Sequence, residues 1–237
     1  MKYIDWDHNE SMNTPNSKRV IDTVTGHGLK DIMGFQYDWN REILAQFHAT
    51  FFHDVANETI HWMTEGVHYK VDFTIFARLL GFGSGDRYAD TIQIENVMKA
   101  KDIVFAYERR GLADGKIVGL KSFYYAMNNL FRETINPKGG DSTSLRKYAK
   151  NLLARMALGS DAFSISRFIW AELSDSLDDA RNDLPYAPYI MYIIERVSGI
   201  EFKDVEHGPY RLAQWQHTGW EALVGAAGTS AAAGVAP

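Results

Sequence analysis

Apolar and polar positions alternate over a short stretch of the chain that begins at Ile60. Ile60 and Trp62 alternate with polar neighbours before the dipeptide Glu65-Gly66, and the segment VHYKVD alternates again after it. A period of two is typical of a half-buried strand, and a short polar break between two such runs is typical of a turn. The pattern therefore predicts one small β-hairpin near residues 60–71.

Helical periodicity follows directly after the hairpin. Apolar residues recur at the spacing of one helix face and are followed by a glycine: Phe76, Leu79, Leu80 and Gly81. Asp72 or Thr74 can cap the first turn of this helix, and Gly81 can adopt the left-handed backbone that ends it.

A longer amphipathic pattern precedes the hairpin. Asp38 can cap a helix whose apolar residues are spaced by four: Trp39, Ile43, Phe47, Phe51 and Val55. Leu44 and Phe52 widen this stripe. We therefore expect a helix that runs to about Val55 and is deeply docked.

The second half of the chain has the pattern of successive helices. They are expected near residues 94–107, over 117–132, from Thr143 or Ser144 to Gly159, from Ser164 or Ser166 to an acidic end at 175–183, and over 188–197. In the third of these, an apolar stripe lies opposite Arg146, Lys147 and Lys150. The fold class predicted is mostly α, a multi-helix globular domain with one small hairpin.

Composition suggests three sections. Residues 1–37 are polar and include Pro15, which predicts a loosely ordered N-terminal segment. Residues 38–223 are predicted to form a single helical domain, and residues 224–237, VGAAGTSAAAGVAP, are predicted to form a flexible low-complexity tail.

The chain of 237 residues is 46% apolar and contains no cysteine. That composition supports a packed core and excludes disulfides, thiol catalysis and cysteine-ligated zinc, including zinc knuckles. No apolar run approaches the roughly 18–20 residues that a membrane span needs, and the N-terminus lacks the apolar core of a signal peptide. We expect an intracellular protein, cytoplasmic or nuclear, with no membrane partner.

Charge is distributed unevenly along the chain. Residues 1–98 carry a net charge of −6, residues 99–155 carry +7, and residues 156–237 carry −6. The positive centre could hold a polyanion. Equally, it could complement acidic parts of the same or a neighbouring chain, which makes head-to-tail self-association an expectation.

Motifs for catalysis, cofactors and metals are incomplete. Four histidines lie close together in sequence: His48, His53, His61 and His68. Glu58-Thr-Ile-His61 has the Glu-x-x-His spacing of di-iron bundles, but such sites need a second motif and two further acidic ligands. Phosphate-binding glycine loops, zinc-protease motifs and nucleophile elbows are not matched either. We expect no catalytic residue, cofactor, metal or small-molecule substrate.

The central basic block, residues 99–155, is the candidate site for RNA or DNA. Basic residues with aromatic neighbours can hold a single strand. The candidate contacts are Arg109, Arg110, Lys121, Arg146, Lys147 and Lys150, with Tyr107, Tyr124, Tyr125 and Phe131 among them. These aromatic residues have helical spacing, so packing inward is the alternative interpretation.

Several segments occur together in an order that is distinctive. They are VHYKVDFTIFARLLGF, NLFRETINPKGGDSTSLRKYAKNLL, FIWAEL and LPYAPYIMYIIERVSG. In this order they resemble proteins encoded by the first open reading frame of Athila-type plant retroelements of the gypsy class, and the related putative plant transposon domain. The resemblance covers about residues 38–210.

The resemblance implies a gag-like plant protein to which no catalytic residues can be transferred. The chain also lacks the protease and polymerase motifs of a retroelement polyprotein. The leading hypothesis is a non-enzymatic protein-interaction or assembly module that self-associates. The alternative is a nucleic-acid-binding domain that uses residues 99–155.

Overall fold

Helices account for most of the described chain. The computed structural model describes residues 2–81, 100–112, 115–137, 143–145, 147–158, 164–176, 186–202 and 209–210. The helices are α1 (Trp6–Ser11), α2 (Pro15–Gly26), α3 (Lys30–Met33), α4 (Arg41–Thr50), α5 (Phe73–Leu80), α6 (Ser122–Glu133), α7 (Lys147–Leu158), α8 (Ile165–Ser176) and α9 (Ala187–Ser198). Short 3-10 helices lie at Ala100–Ala106 and Arg110–Leu112. The predicted mostly α fold is confirmed.

The β structure consists of a three-stranded antiparallel sheet and a short parallel pair. The strands are β1 (Tyr3–Ile4), β2 (Phe52–Asp54), β3 (Thr59–Thr64), β4 (Val67–Asp72) and β5 (Pro209–Tyr210). The sheet has the order β2-β3-β4, and β1 pairs with β5. The predicted hairpin is therefore confirmed as β3 and β4.

The turn of this hairpin is set by two residues with positive φ. Glu65 and Gly66 have φ angles of 50° and 76°, and Thr64 lies opposite Val67. Two left-handed residues in a two-residue loop match the right-handed twist of the flanking strands. The turn therefore fixes the register, with Trp62 opposite Tyr69.

The helix before the sheet is shorter than predicted. Asn40, not Asp38, caps α4, because its side chain accepts from the amides of Glu42 and Ile43. The helix ends at Thr50, and the chain then forms β2. Phe52 is 61% exposed and does not widen the buried stripe as predicted.

The N-terminal segment is ordered, which corrects the prediction that residues 1–37 are loose. Thr14 and Ser17 form a capping box at the start of α2, and Pro15 occupies the first turn. Proline suits this position because the amide it lacks would have no helical partner. Apolar residues of this segment are buried in the main core: Val20, Val24, Leu29, Ile32 and Met33.

The helix after the hairpin matches its prediction at both ends. Of the two candidate caps, Asp72 acts, accepting from the amide of Ile75 at 2.7 Å. Gly81 ends α5 with a φ of 67°, the left-handed conformation expected there. Phe76 and Leu80 are buried, and Phe73 and Phe76 pack edge-on against Trp170 of α8.

Later helices differ from prediction mainly at their starts. The helix expected over 117–132 begins at Ser122, since Gly119 has a φ of 87° and Leu120 instead forms an antiparallel bridge with Tyr107. Ser164 caps α8 by accepting from the amide of Arg167. Gly199 ends α9 with a φ of 71°.

Two predicted elements fall largely outside the described residues. Of the helix expected near 94–107, the described part from residue 100 forms a 3-10 helix. The predicted tail at 224–237 lies outside the described residues.

The core lies between the sheet and the helices. On the sheet's inner face, Ile60, Trp62 and Val71 are buried against α4 and α5. The helices α2, α6 and α7 pack in sequence beside one another, and α9 contacts both α4 and α5. This arrangement leaves the other face of the sheet outside the core.

Candidate functional site

The central basic block is held together by two stretches of backbone pairing. In the first, the amide of Glu108 donates to Gly119 O, and the amide of Lys121 donates to Ala106 O, each at 2.9 Å. Arg109 and Arg110 therefore follow a segment that is bonded directly to the residues before α6.

The second pairing joins this region to the segment before α7. The amide of Ile117 donates to Thr143 O, and the amide of Leu145 donates to Gly115 O, each at 2.8 Å. Thr143 and Ser144, where the sequence predicts a helix to begin, take part in this pairing, and Ser144 forms an antiparallel bridge with Lys116.

The structure gives the predicted nucleic-acid contacts different environments. Arg109, Arg110 and Lys121 are exposed, whereas Lys150 is half-buried on α7. Arg146 and the side chain of Lys147 lie outside the described residues. Backbone pairing therefore brings the segments of Arg110 and Lys121 together.

The aromatic residues of this block divide into two groups. Tyr107, Tyr124 and Phe131 are buried, as the inward-packing interpretation expects. Tyr125 is 42% exposed. Its amide donates to Lys121 O at 3.0 Å, which places Tyr125 one helical turn from Lys121. An exposed ring beside an exposed cation is the local arrangement that base stacking requires.

The sheet presents a second candidate surface, which sequence reasoning did not identify. Alternation along the strands places Phe52, His61, Met63, His68 and Lys70 on the face away from the core. Phe52 is 61% exposed and Met63 is 40% exposed. This outer sheet face therefore combines apolar and polar groups.

Two histidines are joined on the outer sheet face. Nδ1 of His61 lies 3.2 Å from Nε2 of His68, and the two rings stack with an interplanar angle of 17°. Thr59 Oγ1 lies 2.9 Å from Nε2 of His61. Both ring nitrogens of His61 are therefore engaged within the sheet.

The other two histidines of the predicted cluster belong to the inner side. Burial lowers the pKa of His48 to about 4. Burial also lowers the pKa of His53, with Asp54 and Glu58 acting in the opposite direction. His53 packs edge-on against Trp170. The four histidines are thus divided between the two faces.

An ion pair links the sheet to α8. Nη1 of Arg167 lies 2.7 Å from Oε1 of Glu58, and the guanidinium lies 3.6 Å from the ring centroid of Phe73. The partners are 109 residues apart in sequence. No local signal connects them, so sequence reasoning missed this contact.

A shallow cavity of about 230 Å³ lies where α9 ends. It is lined by Tyr37, Glu195, Arg196, Gly199 and Glu201. Both carboxylate oxygens of Glu195 already accept hydrogen bonds, from the hydroxyl of Tyr37 and from the amide of Phe202. Glu195 therefore fastens the segment after α9 to the residues before α4.

Within the described ranges, no three histidine, aspartate or glutamate side chains are grouped to hold a metal ion. The described helices also include none that is both long and apolar enough to cross a membrane. No protein-family model, curated protein or solved structure matches the chain.

Proposed function

We propose that the chain is a non-enzymatic, gag-like protein-interaction or assembly module derived from a plant Athila-type retroelement, and that it associates with copies of itself. Such a module would act inside the cell, in the cytoplasm or nucleus. The resemblance of its hairpin and later helices to that family supports the origin. The exposed sheet supports the self-association.

The observation that carries the proposal is where the exposed apolar side chains lie. Of the seven large apolar side chains that are exposed in the described chain, four lie in or beside the sheet. Phe52 and Met63 are on its outer face, Val67 is on the opposite face at the start of β4, and Val55 directly follows β2. Single exposed apolar residues are ordinary, but a concentration of them marks an interaction surface. Here the exposed apolar residues are concentrated at the three-stranded sheet, and β4 is an edge strand of this sheet.

Light scattering of the full chain over a series of concentrations tests the proposal. We expect the mass to rise above the 26.9 kDa of one chain as the concentration increases. Contacts through the sheet should persist in added salt, whereas head-to-tail contacts between the charge blocks should weaken because salt screens exposed charges. A mass of one chain at the highest concentration and lowest salt would contradict the proposal.

A second candidate function is binding of single-stranded RNA or DNA through the central basic block. The observation that favours it is exposed Tyr125 beside exposed Lys121, on a segment bonded to that of Arg110. The cations would contact phosphates and the ring would stack on a base.

Fluorescence anisotropy with a labelled oligonucleotide tests this second function. Lys121→Glu and Tyr125→Ala should each weaken binding several-fold, and affinity should fall steeply with salt. Arg78→Glu is the matched control, because Arg78 is exposed on α5 outside the basic block. Equal weakening by all three variants would count against this surface.

A further inference from the structure

The strand β4 is an edge strand of the three-stranded sheet. It is six residues long and, among the described strands, pairs with β3 alone in the order β2-β3-β4. The opposite edge strand, β2, has three residues. A long unpaired edge is a template on which another strand can pair.

The hairpin turn determines which backbone groups of β4 face outward. In a two-residue turn of this kind the flanking residues exchange hydrogen bonds, so Thr64 bonds with Val67 and every second pair does likewise. The backbone amides and carbonyls of Val67, Tyr69 and Val71 consequently point toward β3. Those of His68 and Lys70 point away from it.

Two observed hydrogen bonds confirm this alternation of inward and outward backbone groups. The amide of Met63, which lies opposite His68, donates to Thr50 Oγ1 at 2.8 Å on the side away from β4. The amide of Phe73 donates to Glu58 O at 3.1 Å, which continues the bonded series beyond Val71. In the described chain, the backbone groups of His68 and Lys70 have no hydrogen-bond partner, and both residues are exposed.

We infer that two copies of the chain pair through β4 in antiparallel fashion, about a two-fold axis at Tyr69, to form one six-stranded sheet. This inference rests on the proposed self-association and names its surface. His68 of each copy then exchanges two backbone hydrogen bonds with Lys70 of the other. The outward amides of His68 and Lys70 in both strands are then satisfied.

The charge of Lys70 and the length of the strand overlap favour this register over the two neighbouring registers. An axis at Lys70 would place the two lysines directly opposite each other, and like charges in that position are unfavourable. An axis at His68 would shift the pairing toward the turn and shorten the overlap. The axis at Tyr69 overlaps nearly the whole of Val67–Asp72 and sets Lys70 against an imidazole. Lysine on a strand edge commonly prevents pairing, and here it excludes one register.

The side chains at the axis are suited to this contact. Tyr69 is half-exposed and stacks on Trp62 with ring centroids 5.8 Å apart. In the proposed dimer the two Tyr69 residues form a pair without mutual hydrogen bonds, whose Cα atoms lie about 4.5 Å apart. That separation is within the range that a disulfide spans.

Single-cysteine crosslinking tests the inference, since the chain contains no native cysteine. Under mild oxidation, Tyr69→Cys should form a covalent dimer, because the introduced thiol meets its own copy on the axis. Val67→Cys is the matched control. It lies on the same strand and is exposed, but faces residue 71 of the other copy and should crosslink at least tenfold more slowly.

A second variant guards against loss of the fold at Tyr69. Lys70→Pro removes one outward amide that β3 does not use, and proline is tolerated on a strand edge. This variant should keep the circular dichroism of the parent chain and lose its concentration-dependent mass.

The outcomes separate this inference from the proposed function. Dimerisation without preferential crosslinking at Tyr69, or dimerisation unchanged in folded Lys70→Pro, would overturn the β4 pairing and leave self-association standing. A chain that stays monomeric at every concentration would overturn both.

Discussion

At the scale of single residues, burial determines how the histidines behave. His48 lies on α4 beside Phe47, with ring centroids 5.5 Å apart, and its Nε2 is buried without a hydrogen-bond partner among the described residues. Burial disfavours the charged imidazolium, which lowers the pKa of His48 to about 4. Sequence spacing alone groups this residue with His61, but the structure places the two on different sides of the sheet.

The first prediction concerns acid stability. The unfolded chain takes up a proton on His48 as the pH falls through about 6.5, whereas the folded chain does so only near pH 4. The unfolded state binds more protons between these values, so stability falls as the pH falls. His48→Gln should remove about 1–2 kcal/mol of the loss between pH 7 and pH 4, because part of the ring reaches solvent.

Chemical denaturation at both pH values measures this difference. His8→Gln is the control, since it replaces a histidine that is exposed on α1. An identical loss of stability in the parent chain and His48→Gln would contradict the assignment.

At the scale of elements, local signals predict the hairpin and its helix but not every neighbour. Alternation and the Glu65-Gly66 turn predict β3 and β4, and Gly81 predicts the end of α5. The strand β2 has no local signal, because Phe51 and Phe52 continue the helical spacing of α4. The strand β2 forms because it pairs with β3, and this tertiary contact overrides the local helical propensity.

The candidate sites also depend partly on local sequence signals and partly on tertiary contacts. The exposed cations Arg110 and Lys121 can be selected from sequence as part of a basic block. Their connection depends on pairing between separate segments, such as Ile117 with Thr143, which no local pattern encodes. The free edge of β4 likewise depends on the order of strands in the sheet.

The second prediction concerns the cap of α5. Asp72→Ala should destabilise the chain by about 1 kcal/mol, because the amide of Ile75 loses its acceptor. Asp72→Asn should keep most of the stability, since its side-chain oxygen can accept the same bond. Thr74→Ala is the matched control, an exposed residue of the same first turn of α5, and thermal or denaturant unfolding measures all three. A loss for Thr74→Ala as large as that for Asp72→Ala would contradict this account.

At the scale of the whole molecule, the N-terminal segment belongs to the core. The hydroxyl of Tyr189 on α9 donates to Ile32 O at 2.7 Å, and the amide of Lys2 donates to Glu133 O at 2.8 Å. Composition suggests a loose segment because polar residues surround Val20 and Val24. Long-range contacts, which composition does not report, hold it in place.

The third prediction tests this connection. Burial raises the pKa of Tyr189 well above its ordinary value, so its hydroxyl remains a neutral donor. Tyr189→Phe should cost about 1–2 kcal/mol, since it leaves the buried carbonyl of Ile32 without this donor. Tyr192→Phe, on the same helix and half-buried, is the control and should change stability less. Equal effects in denaturant unfolding would argue against the role of this bond.

The central claim is that copies of the chain associate through the edge of β4. Residue-resolved amide hydrogen exchange at low and high protein concentration tests it most directly. The account predicts that the amides of His68 and Lys70 become protected as the concentration rises, while those of Tyr69 and Val71, already bonded to β3, change little. Unprotected His68 and Lys70 amides at a concentration where light scattering shows a dimer would contradict it.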